Sequence, residues 1–432
     1  MVIEALPKVE TLAEAAWKDA PMARRLFTRR QLLAAMGVAG LVTGGRFGTS
    51  RLARPLAPSG PLSSGARELI AQAWAGLDPA RVLDVHAHVV GTGDSGSGCW
   101  VSPRMTALSS PIELLKFTVY REAAGVEHQD HCDEEFTHRL VSLVSSQKPH
   151  GRLLLLAFDH FHDDDGKPVE AQSEFHTPDA YVLSLARAHP ELFVPAASIH
   201  PYRADAVSAL EAAVAQGAMA VKWLPNAMNI DPASSRCDAF YAALARLQVP
   251  LITHAGEEKA VHAEERQRLG NPLHLRRPLE HGVTVVVAHC ASLGQNPDLD
   301  APGEPWVDNF DLFLRLMEEP KWEGRLFGDL SALALVNRVG RPLQHVLEHD
   351  ALQGRLCNGS DWPLPAINVV MQTRAVVAHG FLTEAQRTLL NEIDQHDPLL
   401  MDFVLKRTVR SNGKGLRDDC FQVRREVFPR LT

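Results

Sequence analysis

From residue 66 onward, short unbroken apolar runs alternate with longer amphipathic segments. The runs lie at 82–88, 153–159, 193–200, 218–224, 250–254, 283–289, 326–330 and 356–361. An apolar run without polar alternation is the pattern of a parallel strand covered on both faces. Between the third and fourth runs, Val207, Leu210 and Val214 recur at helical spacing, and Gly217 follows as a C-terminal cap. Phe240, Leu244 and Leu247 mark a second stripe before the fifth run. Eight strands with helices between them predict an α/β fold, a closed (β/α)8 TIM barrel rather than an open doubly wound sheet.

The spacing is uneven. The segment 89–151 between the first two runs is far longer than a barrel connection needs, and so is the stretch between the sixth and seventh. Long strand-to-helix connections lie at the catalytic face of a barrel, where they form walls and lids. The first insertion holds a Gly- and Ser-rich run at 91–98 and helix-like pieces near 111–124 and 134–145, and is expected to cap the site.

Ahead of the barrel, residues 1–62 read as an address and a linker. Thr28-Arg29-Arg30-Gln31-Leu32-Leu33 resembles a twin-arginine export signal, followed by a weakly apolar stretch at 32–45 that is too short and glycine-rich to span a bilayer. The domain proper is expected at 63–432. This reading makes the twin-arginine machinery a partner and the periplasm the destination. The alternative is a basic N-terminus with a chance arginine pair on a cytoplasmic protein.

Composition narrows the chemistry. A net charge of −8 argues against a nucleic-acid or anionic-membrane surface. The six cysteines form no CxxC pair and suggest neither a zinc ribbon nor a disulfide framework. The histidines matter more, because several close the apolar runs.

In Asp84-Val85-His86-Ala87-His88 the two histidines are two residues apart and share a strand face, so both can reach one divalent ion. His254 ends the fifth run, His289 the sixth and Asp361 the eighth. Barrel enzymes collect their catalytic groups at these strand ends. With Val221-Lys222-Trp223-Leu224-Pro225, Ile252-Thr253-His254-Ala255-Gly256-Glu257, Val287-Ala288-His289, Asn358-Gly359-Ser360-Asp361-Trp362-Pro363 and the closing 398–407 segment, the chain resembles the amidohydrolase superfamily, in its amidohydrolase-related branch.

The resemblance implies that His86, His88, His254 and Asp361 bind a metal, with Asp361 also handling the proton of an activated water. His289 is either a ligand to a second metal or a neutral base and oxyanion stabiliser. Binuclear members bridge two ions with a carboxylated lysine on the fourth strand. Lys222 stands there, and would separate an ion held by His86, His88 and Asp361 from one held by His254 and His289. Otherwise it is a plain lysine that pairs with a carboxylate or orients substrate.

Zinc is the expected metal, one or two ions per chain, although these ligand types also suit manganese, iron or nickel. Glu257 is expected to act on substrate or to support the site, and Trp223, His200, Arg203 and His160 to line the pocket, with Asp329 a further candidate. The leading function is hydrolysis of an amide, ester or lactone bond in a small molecule by metal-activated water. The alternatives are a mononuclear decarboxylase of the aminocarboxymuconate semialdehyde type and a non-catalytic metal-binding barrel.

Overall fold

The computed structural model describes residues 60–431; the leader reading at 1–59 lies outside them. Eight parallel strands form the barrel: β1 Leu83–His88, β2 Arg152–Leu156, β3 Phe193–Ala197, β4 Ala220–Trp223, β5 Leu251–His254, β6 Val285–Ala288, β7 Leu326–Asp329 and β8 Leu356–Cys357. They pair in sequence order. The ring is completed by hydrogen bonds from Val85 N–H to the Asn358 carbonyl (2.8 Å) and from His88 N–H to the Trp362 carbonyl (3.1 Å). Strands β2 and β3 stop three residues short of their apolar runs, β4, β6 and β7 one residue short and β8 four, where the chain leaves the ladder. His289 and Asp361 do so with φ of 55° and 63°, a left-handed backbone that a strand cannot continue.

Alternation along each strand sorts its side chains. On β4, Ala220 and Lys222 point inward while Val221 and Trp223 pack against the outer helices. On β5 and β7 the last inward positions are His254 and Asp329. Strand β1 departs from strict alternation. Asp84 pairs with Leu153 but Ala87 with Leu155, so one extra residue bulges into β1. The bulge lets Val85 join the barrel interior and still aims His86 into the mouth.

The interior is filled from the opposite end. Val427, Phe428 and Leu431 pack against Leu83, Val85, Leu154, Leu156, Ile252, Val286 and Phe327, and Leu83 N–H donates to the Phe421 carbonyl at 3.1 Å. The C-terminal segment therefore plugs the barrel floor and leaves the mouth for chemistry.

The 89–151 region divides into two parts. After helix α1 (Ser64–Trp74), which precedes the barrel, helix α2 (Pro111–Ala123) is tied across the mouth loops by Lys116 on Glu174 (3.0 Å) and by the Tyr120 hydroxyl on the Ala260 carbonyl (3.0 Å). Helix α3 (Cys132–Ser146) packs Phe136, Leu140, Leu143 and Val144 against Ala87, Leu153 and Leu155. It is the barrel's own outer helix after β1, while the stretch before it lies over the mouth. Asp133 in its first turn gathers the backbone N–H groups of Thr92 (2.7 Å) and Gly93 (3.1 Å) and the hydroxyls of Ser95 and Ser97.

The six cysteines are buried and unpaired. No helix among the described residues is long and apolar enough to cross a membrane.

Candidate metal centre

The mouth gathers side chains from six strands. His86 Nε2 lies 3.3 Å from His88 Nε2, 3.1 Å from Lys222 Nζ and 3.4 Å from Asp361 Oδ1. Asp361 Oδ1 is 3.2 Å from His88 Nε2, and its Oδ2 is 3.8 Å from His289 Nε2. The His86 and His289 rings stack with centroids 5.0 Å apart, and the His254 ring meets His289 edge-on at 5.5 Å. Asp84 braces the ends of β1 and β8, accepting from the N–H groups of His86 and Ser360 at 2.9 Å each.

Hydrogen bonding decides which nitrogen of each ring faces inward. His86 Nδ1 contacts Asp329 Oδ2 at 2.9 Å. An ionised carboxylate only accepts, so the proton sits on Nδ1 and the Nε2 lone pair is left for the mouth. Ser331 Oγ gives its single proton to Asp329 Oδ1, so its 2.7 Å contact with His289 Nδ1 has the ring as donor. His289 Nε2 is likewise bare. His254 Nδ1 faces Glu258 Oε2 at 3.5 Å, and its Nε2 is buried without a hydrogen-bond partner. Imidazoles oriented by an acceptor on Nδ1 are the usual form of histidine metal ligands.

The electrostatics agree. Burial holds His86, His254 and His289 below the ordinary imidazole range, aided at His86 by Lys222 and at His254 by Arg338. Burial would raise Asp361, but His289, His86 and His88 overcome it and keep the carboxylate well below its usual range. Asp329 is lowered in the same way through His86 and His289. Neutral imidazoles beside an ionised carboxylate suit a divalent cation. His86, His88 and Asp361 offer ligand atoms all within 4.8 Å of one another. His86, His289 and Asp329 meet the same criterion, but there Asp329 is engaged with the outer Nδ1–H of His86 and supports the ligands.

The amidohydrolase family pattern matches residues 84–387, which run from β1 into the helix Glu384–His396. The chain belongs to the amidohydrolase family.

Among solved structures it is similar to a probable 2-pyrone-4,6-dicarboxylic acid hydrolase of Acinetobacter baumannii, with 14% identity over 76% of this chain and 97% of that one at a TM-score of 0.42. An uncharacterised TIM-barrel protein of Bordetella bronchiseptica gives 14%, 74%, 99% and 0.44. A 5-carboxyvanillate decarboxylase of Sphingomonas paucimobilis gives 10%, 73%, 97% and 0.41. No functionally curated protein matches the sequence.

Within this amidohydrolase mouth, several expected residues stand elsewhere. Trp223 is fully buried on the outer face of β4, stacked on Phe240 and donating Nε1–H to the Ile199 carbonyl at 2.9 Å. It is a core residue, as alternation with the inward Lys222 requires. His200 is also sealed: Nε2 bonds the Met228 carbonyl at 2.8 Å and Nδ1 accepts Tyr202 N–H at 3.2 Å, so both nitrogens serve the backbone. Arg203 is neutralised by Asp205 and Asp159. With His160, which stacks on His176 at 4.0 Å, it lines a separate cleft of 390 Å³.

Glu257 pairs with Lys259 at 3.2 Å away from the ligands, and the buried Glu258 takes the place beside His254. Glu258 stands four positions after His254, but the loop that turns the second glutamate inward is not written in a local pattern. Ser331 and Arg338, both in the loop after β7, also join the site without any strand-end signal in the sequence.

Proposed function

We propose that the chain is a metal-dependent hydrolase that cleaves an amide, ester or lactone bond of a small molecule. The observation that carries this reading is that the Nε2 atoms of His86, His88 and His289 all lie within 3.8 Å of the ionised Asp361, with the partnerless Nε2 of His254 on the ring next to His289. When bound, a divalent ion polarises the scissile carbonyl and acidifies water towards neutrality; zinc suits imidazoles with one carboxylate. Asp361 is placed to receive the proton of the attacking water and to return it to the leaving group. His289, its Nδ1–H fixed on Ser331, keeps Nε2 as an acceptor facing the same space.

The number of ions turns on Lys222. Its amine is buried against His86, and burial lowers its proton affinity against the pull of Asp329, Asp361 and Glu258. A neutral amine is what carboxylation requires, which supports a bridged pair of ions. Elemental mass spectrometry on wild type and Lys222→Ala tests this. Two ions per chain, falling sharply in the variant, support the bridge; one ion unaffected by the variant removes it.

The same ligand set would serve a mononuclear decarboxylase. A panel of esters, amides, lactones and aromatic acids separates the two: hydrolysis that chelation abolishes supports the proposal, and carbon dioxide release without hydrolysis transfers the site to the lyase reading.

From the sequence at 28–45 we also propose export through the twin-arginine machinery to the periplasm. Fractionation of wild type and Arg29→Lys/Arg30→Lys cells checks it, and equal cytoplasmic retention of both would refute it.

A further inference from the structure

Five large apolar side chains are exposed among the described residues, and all five stand in loops of the barrel mouth. Leu108, 89% exposed, and Ile112 lie on the stretch after β1. Leu299 and Trp306 belong to the hairpin after β6 (Gln295–Pro297 with Trp306–Asp308), and Val336 to the loop after β7. Among the described residues neither the outer helices nor the barrel floor exposes one. Exposed apolar residues are ordinary when scattered singly; their confinement to one end of the molecule marks a binding surface.

The loop after β8 connects two of these groups. Its residues 362–372 include no charged side chain. Helix α2 packs on its turn Leu364–Ala366, and Val336 N–H donates to the Val370 carbonyl at 2.9 Å. Val90, Leu364, Val369 and Val370 lie half-buried against Ala87 and Trp362. An apolar strip therefore starts at Ala87 and Trp362, the chain neighbours of His86, His88 and Asp361, and runs outward to Ile112 and Val336. His88, on the same side, is the most open of these groups, with its side chain 25% exposed against 8% for Asp361. The other half of the mouth is different in kind. The loops after β2 to β5 expose Asp164, Asp165, Lys167, Asp205, Arg236 and Arg268 and no large apolar side chain.

We propose that the substrate is amphipathic, with an aliphatic chain that leaves the metal centre along this strip while its reacting group stays beside His88 and Asp361. That the reacting group is hydrolysed rests on the hydrolase reading above; the site for the chain does not. The strip is built of Val, Leu and Ile and offers burial without hydrogen-bond donors, which suits a hydrocarbon. It begins inside the mouth, next to the ligand-type residues, where a flexible chain can follow it and the surface of a second folded copy cannot.

The test is isothermal titration of the metal-loaded protein with straight-chain hydroxamates from acetohydroxamate to octanohydroxamate, whose common head binds a divalent ion and whose tail alone varies. Affinity is expected to rise about twofold per methylene, half the gain of full burial in free-energy terms. In Leu108→Ser/Ile112→Ser/Val336→Ser, which changes only exposed side chains outside the metal centre, acetohydroxamate binds as in wild type and the rise with tail length falls to less than about 1.3-fold per methylene. An affinity independent of tail length in the wild type, or no binding at all, would overturn the proposal without recourse to any variant. So would a rise as steep in the triple variant as in the wild type. Sedimentation velocity on both proteins addresses the rival occupant: a wild-type dimer that the triple variant dissociates, with the tail dependence unchanged, makes the strip a contact between copies and overturns the proposal.

The 4-nitrophenyl esters from acetate to octanoate, with the matching anilides, separate the two readings. If hydroxamate affinity climbs with tail length while none of these is cleaved, the chain site stands and the hydrolase reading falls. Cleavage at a rate indifferent to chain length, with flat hydroxamate binding, leaves the hydrolase and removes the chain site.

Discussion

At the scale of single residues, the mouth is organised by where protons sit. His86, His254 and His289 each turn Nδ1 toward an acceptor (Asp329, Glu258 and Ser331 respectively), which leaves Nε2 without a proton and directed inward. Asp329 does the most in this scheme, since it also receives Ser331 Oγ–H and the His289 backbone N–H. Asp329→Asn keeps the shape but presents an amide to His86, removing the charge that holds the ring in this tautomer. Metal affinity is expected to fall roughly 10–100-fold, the usual cost of losing such a partner. Competition against a fluorescent chelator measures it, and an unchanged affinity would show that His86 is oriented by Ser331 alone.

At the scale of elements, the site depends on segments that leave regular geometry. The β1 bulge aims His86, the left-handed residues 289 and 361 carry two more ligand-type side chains off their strands, and Gly359 lets β8 pass close to β1. A Cβ on Gly359 would stand 2.8 Å from His86 Cβ, so even alanine there would press on the ring's backbone.

The loop 91–98 is organised differently, around one carboxylate. Asp133 accepts from four of its residues, and these contacts hold Asp133 below the usual carboxylate range although burial works against them. Asp133→Ala is expected to destabilise the fold by about 2–4 kcal/mol, since hydrogen bonds to a charged group contribute about 1.5–3 kcal/mol each and do not add fully. It should also open the loop to proteolysis. Urea denaturation and thermolysin digestion check both effects; a variant as resistant as wild type would mean that the loop is held by other contacts.

At the scale of the whole molecule, buried imidazoles set the response to acid. Burial lowers His86, His160, His176, His200, His254, His274, His289 and His345, with His160 near 4 and His200 near 3. Unfolding returns them to about 6.5, so below that pH the unfolded chain binds more protons and stability falls as pH falls. Asp84 and Asp179, pushed up to about 7, and the raised Glu258 and Asp402 act in the opposite sense. The imidazoles outnumber these carboxyls two to one. The metal-free protein is therefore expected to lose stability between pH 6.5 and about 5. Urea midpoints of chelated protein across that interval test it, and a flat or rising midpoint toward acid would contradict the neutral state assigned to the rings.

The barrel itself was legible in the chain. Unbroken apolar runs reflect strands covered on both faces, and that is a property of neighbouring residues. The same local logic singled out His86, His88, His254, His289 and Asp361, which stand at the ends of their runs and gather at the mouth, but it also singled out His200, which closes the third run and is sealed against the backbone. Lys222 was singled out through the family resemblance; strand alternation by itself turns it inward and sends Trp223 outward to Phe240. What folding alone decided is the wiring. Asp329 meets His86 across 243 positions of sequence, Glu258 rather than Glu257 turns to His254, α3 joins the barrel wall rather than the cap, and Arg338 comes to rest beside His289. These placements depend on loop paths, a bulge and left-handed turns that bring distant segments together, and no periodicity among neighbours records them.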